Sequence, residues 1–153
     1  MPPGARAARM PPSAPHTEIM PRSLLSLALF AVVAVTLAGL VTGAQWLTRT
    51  TPGWPALPLG NLASWSAMIA MAVLARLWAL PGPWVLRANV LIALALAWLP
   101  LSRMLAGEWA LNFEGGPRWA TWRAYTAGLG LALVGGLLAI LIARVTGGQA
   151  KRP

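Results

Sequence analysis

The chain has 153 residues, of which 58% are hydrophobic and 10% charged, well below the roughly 25% charged residues of an ordinary soluble domain. So few charges cannot dress a water-exposed surface, which excludes a soluble globular fold. The net charge of +9 comes from 12 Lys and Arg against 3 acidic residues, but the cations stand singly at the ends of apolar runs, which suits helix ends anchored at lipid headgroups and not the clustered footprint that nucleic-acid phosphates require.

The residue types that are missing narrow the chemistry. There is no cysteine, so disulfides, thiolate metal sites, iron–sulfur clusters and redox dithiols are out of reach. The single histidine, His16, lies in a Pro-rich tail, so this chain alone cannot supply paired axial ligands to a haem. No metal site, catalytic set or cofactor is expected, and the cofactor-binding residues stay unassigned.

Residues 1–21 hold six prolines, with Arg6 and Arg9, and no hydrophobic periodicity of either kind. They read as a disordered tail. Met20, directly before Pro21, Arg22 and the first apolar run, is an alternative start of translation. Residues 23–47 then carry no charge, and about 25 apolar residues suffice to cross a hydrocarbon core of roughly 30 Å. The competing reading, a cleaved signal peptide ending near Thr42-Gly43-Ala44, is disfavoured because the apolar stretch outruns a signal core of roughly 7–15 residues.

Residues 50–60 are broken by Pro52, Gly53, Pro55, Pro58 and Gly60 and read as a loop. A second helix is predicted over 61–80, ended by Pro81-Gly82-Pro83 and interrupted only by Arg76. A third is predicted over 88–106, with a kink near 96–100, because Pro100 denies a hydrogen bond to the carbonyl of Leu96. The polar segment 107–123 contains the turn Gly115-Gly116-Pro117, with Pro117 placed to open a fourth helix over 118–145 and Glu114 favourably placed ahead of it. Residues 147–153 form a short basic tail. The expected architecture is therefore an all-α integral membrane protein of four transmembrane helices in an antiparallel up-down bundle over 22–146.

With four crossings, both termini and the second loop share one side, which collects eight Lys and Arg against four on the other. The positive-inside rule puts the termini in the cytoplasm, and the Ala, Gly, Arg and Pro bias suggests a bacterial inner membrane. Of the nine tryptophans, Trp46, Trp65, Trp78, Trp98, Trp119 and Trp122 fall near predicted helix ends and read as headgroup anchors. Trp54, Trp84 and Trp109 fall in loops. Seven of the nine belong to the outer side, an aromatic surface that either anchors the chain or meets a partner or a lipophilic ligand.

Small residues that let helix backbones approach are the natural packing sites in lipid. The candidates are Gly39 and Gly43 on helix one, and the ladders Gly128, Ala132, Gly136 and Gly135, Ala139, Ala143 on helix four. Arg76, about a turn from a helix end, reads as a snorkelling anchor. Glu108 and Glu114 are the only acid pair and, lying on a solvated loop, read as solubilising rather than catalytic. No intramembrane carboxylate exists for a proton relay. The expectation is a non-catalytic membrane subunit or assembly factor in contact with lipids and with other subunits or further copies of itself. The alternative is a small oligomeric channel, carrier or binder of a lipid, pigment or quinone.

Overall fold

A computed structural model describes residues 22–53, 55–113 and 115–149. The N-terminal tail, Trp54, Glu114 and the last four residues lie outside this description, as do the expectations attached to them. Among the described residues the chain is helical, with four helices long and apolar enough to cross a membrane. They are α1 (Arg22–Thr42), α2 (Leu59–Trp78), α3 (Pro83–Ala106) and α4 (Gly116–Gln149), with a 3-10 turn at Gln45–Thr48.

Three boundaries differ from the sequence expectation by four residues or more: α4 runs on to Gln149, past residue 145 and into the expected basic tail, and the other two differ for identifiable reasons. The first helix stops at Thr42 instead of running to residue 47. Gly43 adopts φ 62°, and the Ala44 N–H donates to the Gly39 carbonyl (2.9 Å) and the Gly43 N–H to that of Leu40 (3.4 Å). This is the paired closure of a Schellman ending, which a left-handed glycine permits. The remaining 21 residues of α1 still span about 32 Å at 1.5 Å per residue.

The third helix begins at Pro83, not near residue 88, so Trp84 and Arg87 are helical and not in a loop. Pro83 occupies the first helical position, where its missing N–H is no loss. The break is made instead by Gly82, at φ 89°, ψ −137°. Further on, α3 continues through Pro100 to Ala106. The carbonyls just ahead of the proline receive side-chain donors: Trp65 Nε1 reaches Ala95 O (2.9 Å) and the Tyr125 hydroxyl reaches Leu94 O (3.3 Å).

The sequence-adjacent helices pair end to start. Ser26 of α1 meets Trp78 of α2, and Thr36 meets Ala63. Arg76 of α2 meets Asn89 of α3, while Ser102 and Trp98 of α3 meet Trp122 and Thr126 of α4. α2 packs against α1, α3 and α4, and α3 against α4, whereas α1 leans on α2.

α2 can take this central place because small residues lie on more than one of its faces. Ala67, Ala70, Ala72 and Ala75 are all buried, as are Ala88 and Ala95 of α3, and short side chains let helix axes approach closely. The innermost cluster joins Ala72, Ala95, Trp98, Leu99, Leu129 and Leu133. The outward surface is apolar: Leu27, Val35, Val41, Leu131 and Ile142 are 61–86% exposed.

Between α1 and α2 the chain folds back on itself. The 3-10 turn packs on the start of α2, and the loop beyond it is closed by an isolated antiparallel bridge between Thr50 and Pro58. Backbone bonds from Thr51 N to Leu57 O (2.9 Å) and Leu59 N to Arg49 O (2.8 Å) fasten it. A segment so rich in Pro and Gly forms no ladder of its own, but it does form a closed turn.

Candidate functional site

Because α1 leans on α2 while α4 packs on α2 and α3, an opening remains between α1 and α4. It holds a cleft of about 290 Å³, near the lower limit of small-molecule sites. Thr36, Leu37 and Leu40 of α1 form one wall and Trp122 and Thr126 of α4 the other. Asn61, Ser64, Ala67, Met68 and Met71 of α2 form the floor, with Trp98 of α3 behind. The lining is apolar with a few hydroxyls and one amide, and the methionines add side chains that adapt to irregular shapes.

The polar groups are held by bonds between elements. Trp98, only 2% exposed, donates its indole N–H to Thr126 Oγ1 (2.9 Å). One turn away, Trp122 Nε1 donates to Ser102 Oγ (2.9 Å), itself fully buried. A hydroxyl that accepts an indole N–H keeps its own proton for another acceptor. Thr126 therefore offers a donor to whatever occupies the cleft, and Ser64 adds a second hydroxyl. Asn61 turns its Nδ2 to the carbonyls of Trp109 (3.3 Å) and Ala110 (3.4 Å), which pins the 107–111 loop over the start of α2. Leu111, in that loop, has φ 55° and packs against the core cluster. A left-handed backbone at a bulky residue persists only where surrounding packing enforces it.

No family model, curated protein or solved structure matches this chain.

The geometry of the site changes the role of the tryptophans expected to anchor at headgroups. Trp98 is a core residue, and Trp65, half-buried, spends its N–H on Ala95. Trp122 spends its N–H on Ser102, so these three indoles join helices instead of reaching for water. Trp78 donates to Ser26 Oγ (3.3 Å) and lies 5.2 Å from the Phe30 ring. Trp46 lies over Gly39. Trp119 is the exposed one, 37% open, stacked on Trp122 at 5.1 Å with Phe113 beside both. Trp109 lies under the Arg103 guanidinium at 4.3 Å, a cation–π pairing.

The small-residue candidates divide likewise. Gly43 ends α1 instead of packing a helix, and its neighbourhood is open to 4 Å. Gly39 is buried, but by the chain's own fold-back: a Cβ there would lie 2.6 Å from Trp46 Cζ2. Gly136 faces Leu91, whose Cδ1 would be 2.8 Å from an added Cβ. Gly128 and Gly135 have nothing within 4 Å; Ala132 is exposed and Ala139 and Ala143 are half-buried. Apart from Gly39, the glycines and alanines that the chain itself buries most fully are alanines of α2 and α3, Ala70, Ala72, Ala75, Ala88 and Ala95. The pattern was present in the sequence, but in a chain this rich in alanine nothing sets one stripe apart until the neighbours are placed.

Glu108 is exposed and shares a hollow of about 340 Å³ with Asn112, Phe113 and Arg118. Arg76 is exposed in the last turn of α2, with its Nε 3.2 Å from Asn89 Oδ1. Among the described residues no three His, Cys, Asp or Glu side chains gather as metal ligands. What the cleft offers chemically is shape, apolar surface and hydroxyl donors.

Proposed function

We propose that this chain is a multi-pass protein of a cytoplasmic membrane, a non-catalytic subunit or assembly factor whose cleft between α1 and α4 receives a helix of a partner subunit. In this reading the helices form an antiparallel up-down bundle with both termini in the cytoplasm. Several features support it. The helices are bilayer-length, and their outward side chains are apolar, as acyl chains require. Arg22, Arg76, Arg87 and Arg144 stand toward one set of helix ends and Arg49, Arg103, Arg118 and Arg123 toward the other; the sequence adds Arg6, Arg9, Lys151 and Arg152 beside the termini, and that richer side faces the cytoplasm under the positive-inside rule.

The single observation that carries the assembly reading is the unfilled opening beside α1. On the opposite face of α4, turned away from the cleft-lining Trp122 and Thr126, Gly128 and Gly135 also have no neighbour, and small residues on a lipid-facing helix are where another backbone gains most by approaching. Photo-crosslinkers at Leu37 and Leu40, used in native membranes before mild-detergent purification, test it. A stoichiometric partner or a second copy captured at these positions, and lost when Ser64→Phe fills the cleft, is the expected result. Migration as a lone protomer under every gentle condition overturns it.

A second reading rests on the free hydroxyl donors of the cleft: a small carrier or binder of a lipophilic molecule bearing a carbonyl, such as a quinone. In that case an extracted small molecule copurifies with the lone protomer, and its retention falls in Thr126→Val.

A further inference from the structure

Away from the cleft, three guanidinium groups from three different helices converge at one end of the molecule. Arg22 opens α1, Arg76 lies in the last turn of α2, and Arg144 lies near the end of α4. They line two adjoining hollows that share Arg22, Leu77 and Arg144. The smaller, about 310 Å³, adds Ser23, Ser26 and Trp78. The larger, about 740 Å³, extends past Arg76 to Pro81 and Val85.

Two of the three side chains are held by the same device. Arg76 donates through Nε to Asn89 Oδ1, and Arg144 donates through Nε to the carbonyl of Trp78. Each bond engages the inner nitrogen and leaves the terminal Nη donors for another acceptor. Fixed in this way, a guanidinium loses less freedom when it binds, and its planar fork matches two oxygens of a phosphate. Among the described residues the one carboxylate is Glu108, in the loop at the opposite ends of the helices. Three like charges around one hollow repel one another, and the attraction of each to a bound anion offsets that repulsion.

Two further features suit an anion carrying an apolar tail. The hydroxyls of Ser23 and Ser26 stand beside Arg22 in the smaller hollow and can donate to an oxyanion there. Leu77, Trp78 and Val85 give the same hollows apolar walls. Basic pockets between transmembrane helices on the cytoplasmic side are where anionic headgroups dock.

We propose that Arg22, Arg76 and Arg144 form a binding site for the phosphate of an anionic headgroup. A phosphatidyl lipid and free phosphate present the same oxyanion, so the test separates the two. The full chain is placed in nanodiscs of phosphatidylcholine alone, of phosphatidylcholine with phosphatidylglycerol, and of phosphatidylcholine with added inorganic phosphate. Thermal unfolding is followed by circular dichroism, and retained lipid is counted by native mass spectrometry.

Phosphatidylglycerol is expected to raise the midpoint and to remain as an adduct. Each single Arg→Gln change should weaken that binding about fivefold, the equivalent of ~1 kcal/mol per cation near an anionic surface. The triple variant R22Q/R76Q/R144Q should lose it, while R49Q/R103Q/R118Q at the other end should not. A shift produced by inorganic phosphate and lost in the same triple variant assigns a soluble phosphate to the site. R22K/R76K/R144K preserves charge but not the fork, so it reports binding if the Gln variant does not fold, and it should bind more weakly than the native chain. The proposal is overturned if neither phosphate source shifts the midpoint, or if the control triple lowers binding as much as the site triple.

Discussion

The indole of Trp98 and the hydroxyl of Thr126 offer the most direct test of how the helices are held together. Thr126→Val keeps the shape of the side chain and removes the acceptor, leaving a buried N–H unpaired in a site that is 2% exposed. An unsatisfied buried donor costs about 1–3 kcal/mol in a soluble protein, while hydrogen bonds between membrane helices average ~0.6 and reach ~1.7 kcal/mol. We expect ~1 kcal/mol for Thr126→Val. Trp98→Phe should cost about 2 kcal/mol, because the smaller ring also leaves a void among Ala72, Leu99 and Leu133. Once the indole is absent the threonine loses its partner too, so the double variant should be less destabilised than the sum by about 0.6–1.7 kcal/mol. Reversible unfolding in mixed micelles of rising dodecyl sulfate content, followed by far-ultraviolet circular dichroism, measures all four corners of the cycle. If the two costs add to within ~0.3 kcal/mol, the bond contributes nothing and Trp98 is held by shape alone.

The glycines give an ordered series in the same assay. Gly43→Ala meets no atoms and is opposed only by its left-handed backbone, at a cost of about 1–2 kcal/mol. Gly39→Ala must displace the Trp46 ring and should cost about 1–3 kcal/mol, whereas Gly128→Ala should be neutral or stabilise by up to about 1 kcal/mol through helix propensity. A Gly128→Ala variant of the isolated chain that unfolds more easily would mean that this face is packed internally. Asn61→Leu removes both bonds to the 107–111 loop, so amide exchange in that loop should quicken about five- to thirtyfold, from the loss of about 1–2 kcal/mol, with little change in α3. Unchanged exchange would show that Leu111 and Trp109 hold the loop without Asn61.

Which parts of this protein are legible in its sequence follows from what each signal depends on. The four apolar stretches, the break at 81–83 and the start of α4 at Gly116-Pro117 are local matters of length, charge and backbone freedom, so the sequence alone determines them. The end of α1 was misread because hydropathy runs on through Trp46 and Leu47, while the stop is made by one glycine turning left-handed. Trp65, Trp98 and Trp122 differ from the sequence expectation for a related reason. An indole near a helix end looks like an anchor until a hydroxyl on the next helix comes within 2.9 Å, and Thr126 and Ser102 lie 28 and 20 residues from their partners.

Only tertiary packing decided that α2, the least apolar of the four by hydropathy, is the central helix. A helix enclosed by protein needs small residues and polar partners more than it needs grease. The same packing set α1 aside from α4, opening the cleft, and gathered Arg22, Arg76 and Arg144 around shared hollows across a chain separation no local pattern spans. Apolar length is a property of a segment; which faces meet is a property of all the segments together.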